Sequence, residues 1–254
     1  MKSKLFGLAI GLLVSGSVGA QDFKLSKNSG TLDIRELNKV TIEGYSGNEI
    51  IFSSQSSNRE RDERAKGLRP ISNTGLEDNT GIGISVVDKG NTIEVRQLKK
   101  MDGPDIKIQV PKNVKVAFYH TSPHGDDIEI NNFEGEVEVS TVHSGVVLSN
   151  ATGPINIKTV HGDIDASFPT APKSPISIES VHAHVDVALP VDTKANIKLS
   201  THMGEILVDP AFKIDIERTG DMVKYSDKVS GKLNGGGVAI DLSATHDNIY
   251  LRKK

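Results

Sequence analysis

V-E-V-S-T-V-H-S-G-V-V-L from Val137, I-N-I-K-T-V-H-G-D-I-D-A from Ile155, I-S-I-E-S-V-H-A-H-V-D-V from Ile176 and I-K-L-S-T-H-M-G-E-I-L-V from Ile197 are four versions of one unit, together filling residues 137–208. A fifth, I-D-L-S-A-T-H-D-N-I-Y-L, starts at Ile240. Counted from its first residue, offset 0, each unit is apolar at offsets 0, 2 and 9, and offset 11 is Leu148, Ala166, Val187, Val208 or Leu251. Apolar residues two apart are the signature of a strand with one face buried, so each unit predicts two short strands joined by a corner. Self-similarity at this period marks a stacked architecture in which a unit buries its apolar face only with its neighbours in place. The fold expected is all-β, a single-stranded β-helix or β-solenoid with coils of about 18–23 residues, right-handed by preference. The starts are 18, 21 and 21 residues apart and then 43, about two periods, which predicts one degenerate coil between Ile197 and Ile240.

Outward from this stretch, Val114 to His120 fits the first half of a unit and Ile128-Glu129-Ile130 the second, displaced by the extra residues of S-P-H-G-D-D. Upstream, alternation at Leu32 and Ile34, Val40 and Ile42, and Ile50 and Phe52 predicts strands between turns. Ile84 to Val86 and Thr92 to Val95 predict two more, around Lys89-Gly90-Asn91. Ser54 to Ala65 is charged and lacks an apolar face, as a surface excursion does. Phe212 to Val229 is assigned to the degenerate coil, and Gly235-Gly236-Gly237 to a close backbone approach before the last strand. The chain stops in Arg252-Lys253-Lys254, charges expected to blunt an open sheet edge.

Residues 1–20 join a basic start (Lys2, Lys4), an apolar run from Leu5 to Val14 and a small-residue end before Gln21, the three parts of a secretory signal. The expected division is therefore a signal peptide over 1–20 and one solenoid domain over 21–254. The domain has irregular coils at 21–110, regular repeats at 111–209, and the degenerate and last coils at 210–254. The protein is expected in the periplasm, on the outer surface or secreted. With no cysteine, neither disulfides nor lipidation can act. Acidic and basic residues are interspersed, 33 against 30, which is no footprint of nucleic-acid binding.

V-T-I-E-G-Y-S-G-N-E-I, I-K-I-Q-V-P-K-N-V-K-V, T-V-H-G-D-I and K-L-N-G-G-G-V-A-I-D-L, in that order, give the chain a resemblance to the bacterial putative-adhesin families of β-strand repeat proteins of unknown function. The resemblance implies an exported, β-helix-like protein and gives no chemistry to inherit. It also offers no role for the histidines at the corner.

Those histidines are the one candidate site. All eight lie between His120 and His246, and His143, His161, His182 and His246 share offset 6. Stacked at strand spacing, about 4.8 Å, neutral imidazoles could hold Zn(II) or Cu(II), with His143, His161, His182, His184 and His202 as candidate ligands. The competing reading is structural: histidine tolerates a left-handed corner conformation better than most residues. No other cofactor is expected. Asp163, Asp165, Glu179 and Asp186 are too scattered to predict the acid and base of a polysaccharide-cleaving enzyme. The expectation is a non-enzymatic binding or adhesion surface for an envelope, cell-surface or polysaccharide partner, with an envelope metal-binding protein as the alternative.

Overall fold

The structure, a computed structural model, describes residues 22–55, 64, 67–68, 70–72, 74–216 and 227–254. The expected signal peptide and most of the charged run from Ser54 to Ala65 lie outside the described residues. Among those described the chain is all-β, without an α-helix. The first seven strands are β1 (Asp22–Leu25), β2 (Gly30–Arg35), β3 (Lys39–Tyr45), β4 (Ile50–Ser54), β5 (Ile84–Asp88), β6 (Thr92–Gln97) and β7 (Asp105–Pro111). The repeat region contributes pairs: β8 (Val114–His120) with β9 (Ile128–Asn131), β10 (Val137–Thr141) with β11 (Val146–Ser149), β12 (Ile155–Thr159) with β13 (Ile164–Ser167), and β14 (Ile176–Ser180) with β15 (Val185–Leu189). Then come β16 (Ala195–Thr201), β17 (Ile206–Val208), β18 (Ile214–Ile216), β19 (Asp227–Leu233), β20 (Val238–Ala244) and β21 (Ile249–Lys253).

Each repeat gives its first strand to one sheet and its second to another. The first sheet runs β18-β19-β16-β20-β14-β12-β10-β8-β2-β6-β5, the second β1-β4-β7-β3-β9-β11-β13-β15-β21-β17. Neighbouring repeats pair parallel and in register, Val137 with Ile155 and Ile155 with Ile176 in the first sheet, Val146 with Ile164 and Ile164 with Val185 in the second. The apolar columns therefore coincide, and Val139, Ile157, Ile178, Val146, Ile164 and Val185 are all buried in one hydrophobic cluster fed by both sheets. Phe52, Phe118, Phe133 and Phe168 are its largest fully buried members.

The predicted coil order fails at both ends. β20 pairs with β14 on one side and β16 on the other, and β21 likewise with β15 and β17, so the last unit in sequence is inserted between the third and fourth. At the other end β2 and β3 sit between β8 and β6 and between β9 and β7. The residues assigned to a degenerate coil supply antiparallel strands instead, β19 on β16 and β18 on β19. Arg252 accordingly stands inside the sheet, paired with Asp186, Lys254 follows with its Nζ on Ser167, and neither blunts an edge. That task falls to antiparallel additions, β5 on β6, β4 on β7 and β1 on β4, which end the parallel ladder with short strands.

The three glycines are explained by the insertion. To pass from β19 on one side of β16 to β20 on the other, the chain crosses the start of β16. Asn234 donates from Nδ2 to Val191 O and Thr193 O, each at 2.8 Å. A Cβ on Gly237 would lie 2.3 Å from Lys194 O, so only glycine lets the backbone through.

Candidate functional site

The corner between the two strands of a unit is built by backbone, and the histidines follow from it. At offset 4 a buried hydroxyl closes the bend: Thr141 Oγ1 donates to Ser144 O and Thr159 Oγ1 to Gly162 O, both at 2.6 Å. At offset 6 the amide donates to the preceding unit, His161 to Val142 O and His182 to Val160 O at 2.8 Å, and His246 to Val181 O at 2.9 Å. The parallel ladder thus continues around the corner. Position 162 calls for glycine, since a Cβ on Gly162 would lie 2.0 Å from Ser144 O.

Four imidazoles are stacked as a result. Ring centroids are 5.5 Å apart from His143 to His161, 4.8 Å from His161 to His182 and 4.6 Å from His182 to His246, with planes within 17° of parallel. All four side chains are exposed. His246 Nδ1 lies 3.0 Å from Val181 O, a contact that makes it the donor and turns Nε2 to solvent. Because the fifth unit is inserted, His182 is followed by His246, and the exposed Met203 continues the column beyond it, its amide donating a hydrogen bond to Thr245 O.

None of the four has a positive φ; among the described residues that conformation belongs to Glu36, Asp102, Asn132, Asn150, Asn234 and certain glycines. Left-handed backbone is therefore not what places histidine here. The expected metal candidates divide. His143, His161 and His182 are brought together, but a nitrogen lone pair lies in its ring plane, and parallel planes send those pairs outward side by side. Zinc needs several donors at about 2.0–2.1 Å converging on one point, and among the described residues no group of three or more His, Asp or Glu side chains does so.

His184 stands outside the stack. Its Nδ1 is 2.9 Å from Asp163 and its Nε2 3.3 Å from Asp165, with its ring edge-on to Tyr250. His202 is exposed near Met203. The other acidic candidates are also paired, Asp186 with Arg252 at 2.6 Å and Glu179 with Lys158 at 3.6 Å. On the outer face of the first sheet Lys115 bridges Glu136 and Glu138, and Tyr119 donates to Glu138. The Lys115 hydrogen bond, seconded by Tyr119, holds the Glu138 carboxyl below its ordinary range.

Sequence reasoning missed the role of His120. It pairs with Thr141 in the ladder, so it occupies the hydroxyl column, not the ring column. It is fully buried, with Nε2 at 3.2 Å from Asn38 Oδ1 and Nδ1 at 3.2 Å from Ser144 Oγ. Burial lowers its pKa, and nearby Glu36 opposes that in part. The displaced second half of its unit, beginning at Ile128, was the available signal that this corner differs. At the opposite corner Asn150 donates to Asn132 and Asn132 to Glu43, a second side-chain ladder.

No protein-family model matches the chain, and no curated protein matches it. Two solved structures are similar to it. One is a putative cell adhesion protein from Clostridium sporogenes, 10% identical with a TM-score of 0.44, covering 93% of this chain and 100% of its own. The other is a putative adhesin from Bacteroides fragilis, 10% identical with a TM-score of 0.41, covering 94% of this chain and 98% of its own.

Proposed function

We propose that the protein is exported and non-enzymatic, a β-solenoid in the sense that successive units wind between two sheets, and that it binds an extended envelope, cell-surface or polysaccharide partner. The observation that carries this reading is the in-register repetition of outward side chains: the four-ring column presents the same group once per unit, at 4.6–5.5 Å. A surface periodic at that spacing can engage a polymer through many equal contacts, each weak, with the avidity of multivalent binding. The non-enzymatic part is supported by the carboxylates at the repeats. Asp163 and Asp165 are held by the His184 ring and Glu179 and Asp186 by surface cations, whereas acid–base cleavage needs two carboxyl groups flanking one bond. Export rests on the basic, apolar and small-residue segments of residues 1–20.

The test is binding of labelled protein lacking residues 1–20 to isolated cell envelopes and to purified envelope polysaccharides. Saturable binding, competed by the unlabelled protein, is expected. Retention of none, or measurable depolymerisation of the glycans, would overturn the reading.

A further inference from the structure

We propose that the His143–His161–His182–His246 ladder is the contact edge for a linear polyanion, one anionic group per unit, engaged when the imidazoles take up protons. The proposal rests on the polymer-binding reading above and names its ligand class and its edge.

The geometry selects this chemistry. A metal needs donors that converge, whereas four nearly parallel rings present their nitrogens in a row. With His246 Nδ1 committed to Val181 O, protonation adds an outward N–H at Nε2. The other three rings are stacked on it in series and are likewise exposed. Protonated, the row carries like charges 4.6–5.5 Å apart, which disfavour one another. Anions of matching period, lying along the row, remove that repulsion. A chain with one anionic group per residue can do this without bending, and its affinity rises with length.

The carboxylates on either side of the row, and Glu36 at one end, each have a hydrogen-bond or ion-pair partner, and those held by amides alone keep their charge. On the second-sheet side of the corner, Asp163 holds His184, Asp127 accepts the amide of Gly145, and Asp247 accepts that of Asn248. On the first-sheet side are the exposed Lys158 and Glu179, paired with each other. Beyond His143 the Glu36 carboxylate takes the amides of Thr121 and Ser122, and His120 is buried. Beyond His246 lie Met203 and His202, whose amides donate to Thr245 O, and Glu205, whose amide donates to Asn248.

The experiment measures binding of galacturonate oligomers to the protein lacking residues 1–20, at pH 5.5 and 7.5 and at two salt concentrations, with the methyl-esterified oligomer as uncharged control. We expect affinity for the tetramer at least tenfold higher at pH 5.5, above that of the monomer, reduced by salt and absent for the ester. His161→Gln with His182→Gln should lower it tenfold or more. Lys24→Gln with Lys253→Gln, which removes two positive charges away from the ladder, should leave it nearly unchanged. Urea midpoints at pH 7.5 verify that the variants are folded.

Equal losses in the two double variants, or binding that does not strengthen with acid, would overturn the proposal. So would saturable Zn(II) binding at pH 7.5 that weakens at pH 5.5 and is lost in the ladder variant, if uronate binding is absent. If wild type and ladder variant bind isolated envelopes equally at both pH values, the ladder assignment falls and the polymer-binding reading stands. If neither binds envelopes, both fall.

Discussion

Replacing Ile157 by Asp tests the inward register on which the architecture depends. Ile157 is 0% exposed in the middle of β12, with Val139 and Ile178 as its in-register neighbours, each 1% exposed. Truncation to Ala at such a site costs about 2–5 kcal/mol, transfer and cavity together. Partners fixed by ladders on both sides collapse poorly into the gap, which favours the upper half of that range. Aspartate also strands a carboxylate without a partner, adding several kcal/mol or forcing it to stay protonated. Against a total of about 5–15 kcal/mol for a domain, Ile157→Asp should leave little folded protein at neutral pH. Next door, the Lys158 side chain is 59% exposed and 3.6 Å from Glu179. Lys158→Asp removes a weak exposed ion pair and should cost under about 1 kcal/mol. The assay is urea denaturation followed by circular dichroism, with Ile157→Ala as the measurable intermediate. Midpoint shifts of similar size at 157 and 158 would refute the register, and with it the placement of every column in the repeat.

Gly162→Ala sets a Cβ 2.0 Å from Ser144 O and 2.7 Å from the Gly145 nitrogen. It should destabilise by about 1–3 kcal/mol through backbone displacement, and an unchanged urea midpoint would contradict the close approach at the corner. Burial lowers the pKa of His120, so the folded state disfavours its protonated form. The unfolded chain binds more protons once pH falls below the ordinary imidazole value of about 6.5, so this stability is present above that pH and lost below it. His120→Thr, which restores the residue found at 141 and 159, should flatten the acid side of the midpoint-versus-pH curve; a curve of unchanged slope would remove His120 as the cause. Chain ends ordinarily fray, but β20 and β21 are paired on both sides. Amides of Ile240 and Leu242 should therefore exchange with solvent more slowly than those of β17, and first exchange at the C-terminus would argue against the insertion.

Local periodicity accounts for what was legible in the sequence, and long-range choice for what was not. Val137 and Val139, or Ile155 and Ile157, declare a buried strand face by themselves, because side-chain direction alternates every residue. Units repeated in register must then superpose whatever sits at the corner, so the column of His143, His161 and His182 could be read from spacing alone. Spatial order is a different kind of information. Ile176 pairs with Ile240, and Ile240 with Ile197, at the same register, so either of the last two units matches the ladder position beside β14. The repeat is degenerate for that choice. What tips it lies outside the repeat: Asn234 tied to Val191 and Thr193, a backbone crossing that only glycine allows at 237, and β19 taking the outer side of β16. His120 was hidden by the same limit, since the Asn38 that holds it is 82 residues away. The insertion also bears on the candidate edge. It places His246 directly on His182 and so extends the ladder to four rings, where strict succession would have put Met203 in that position and ended the row at three.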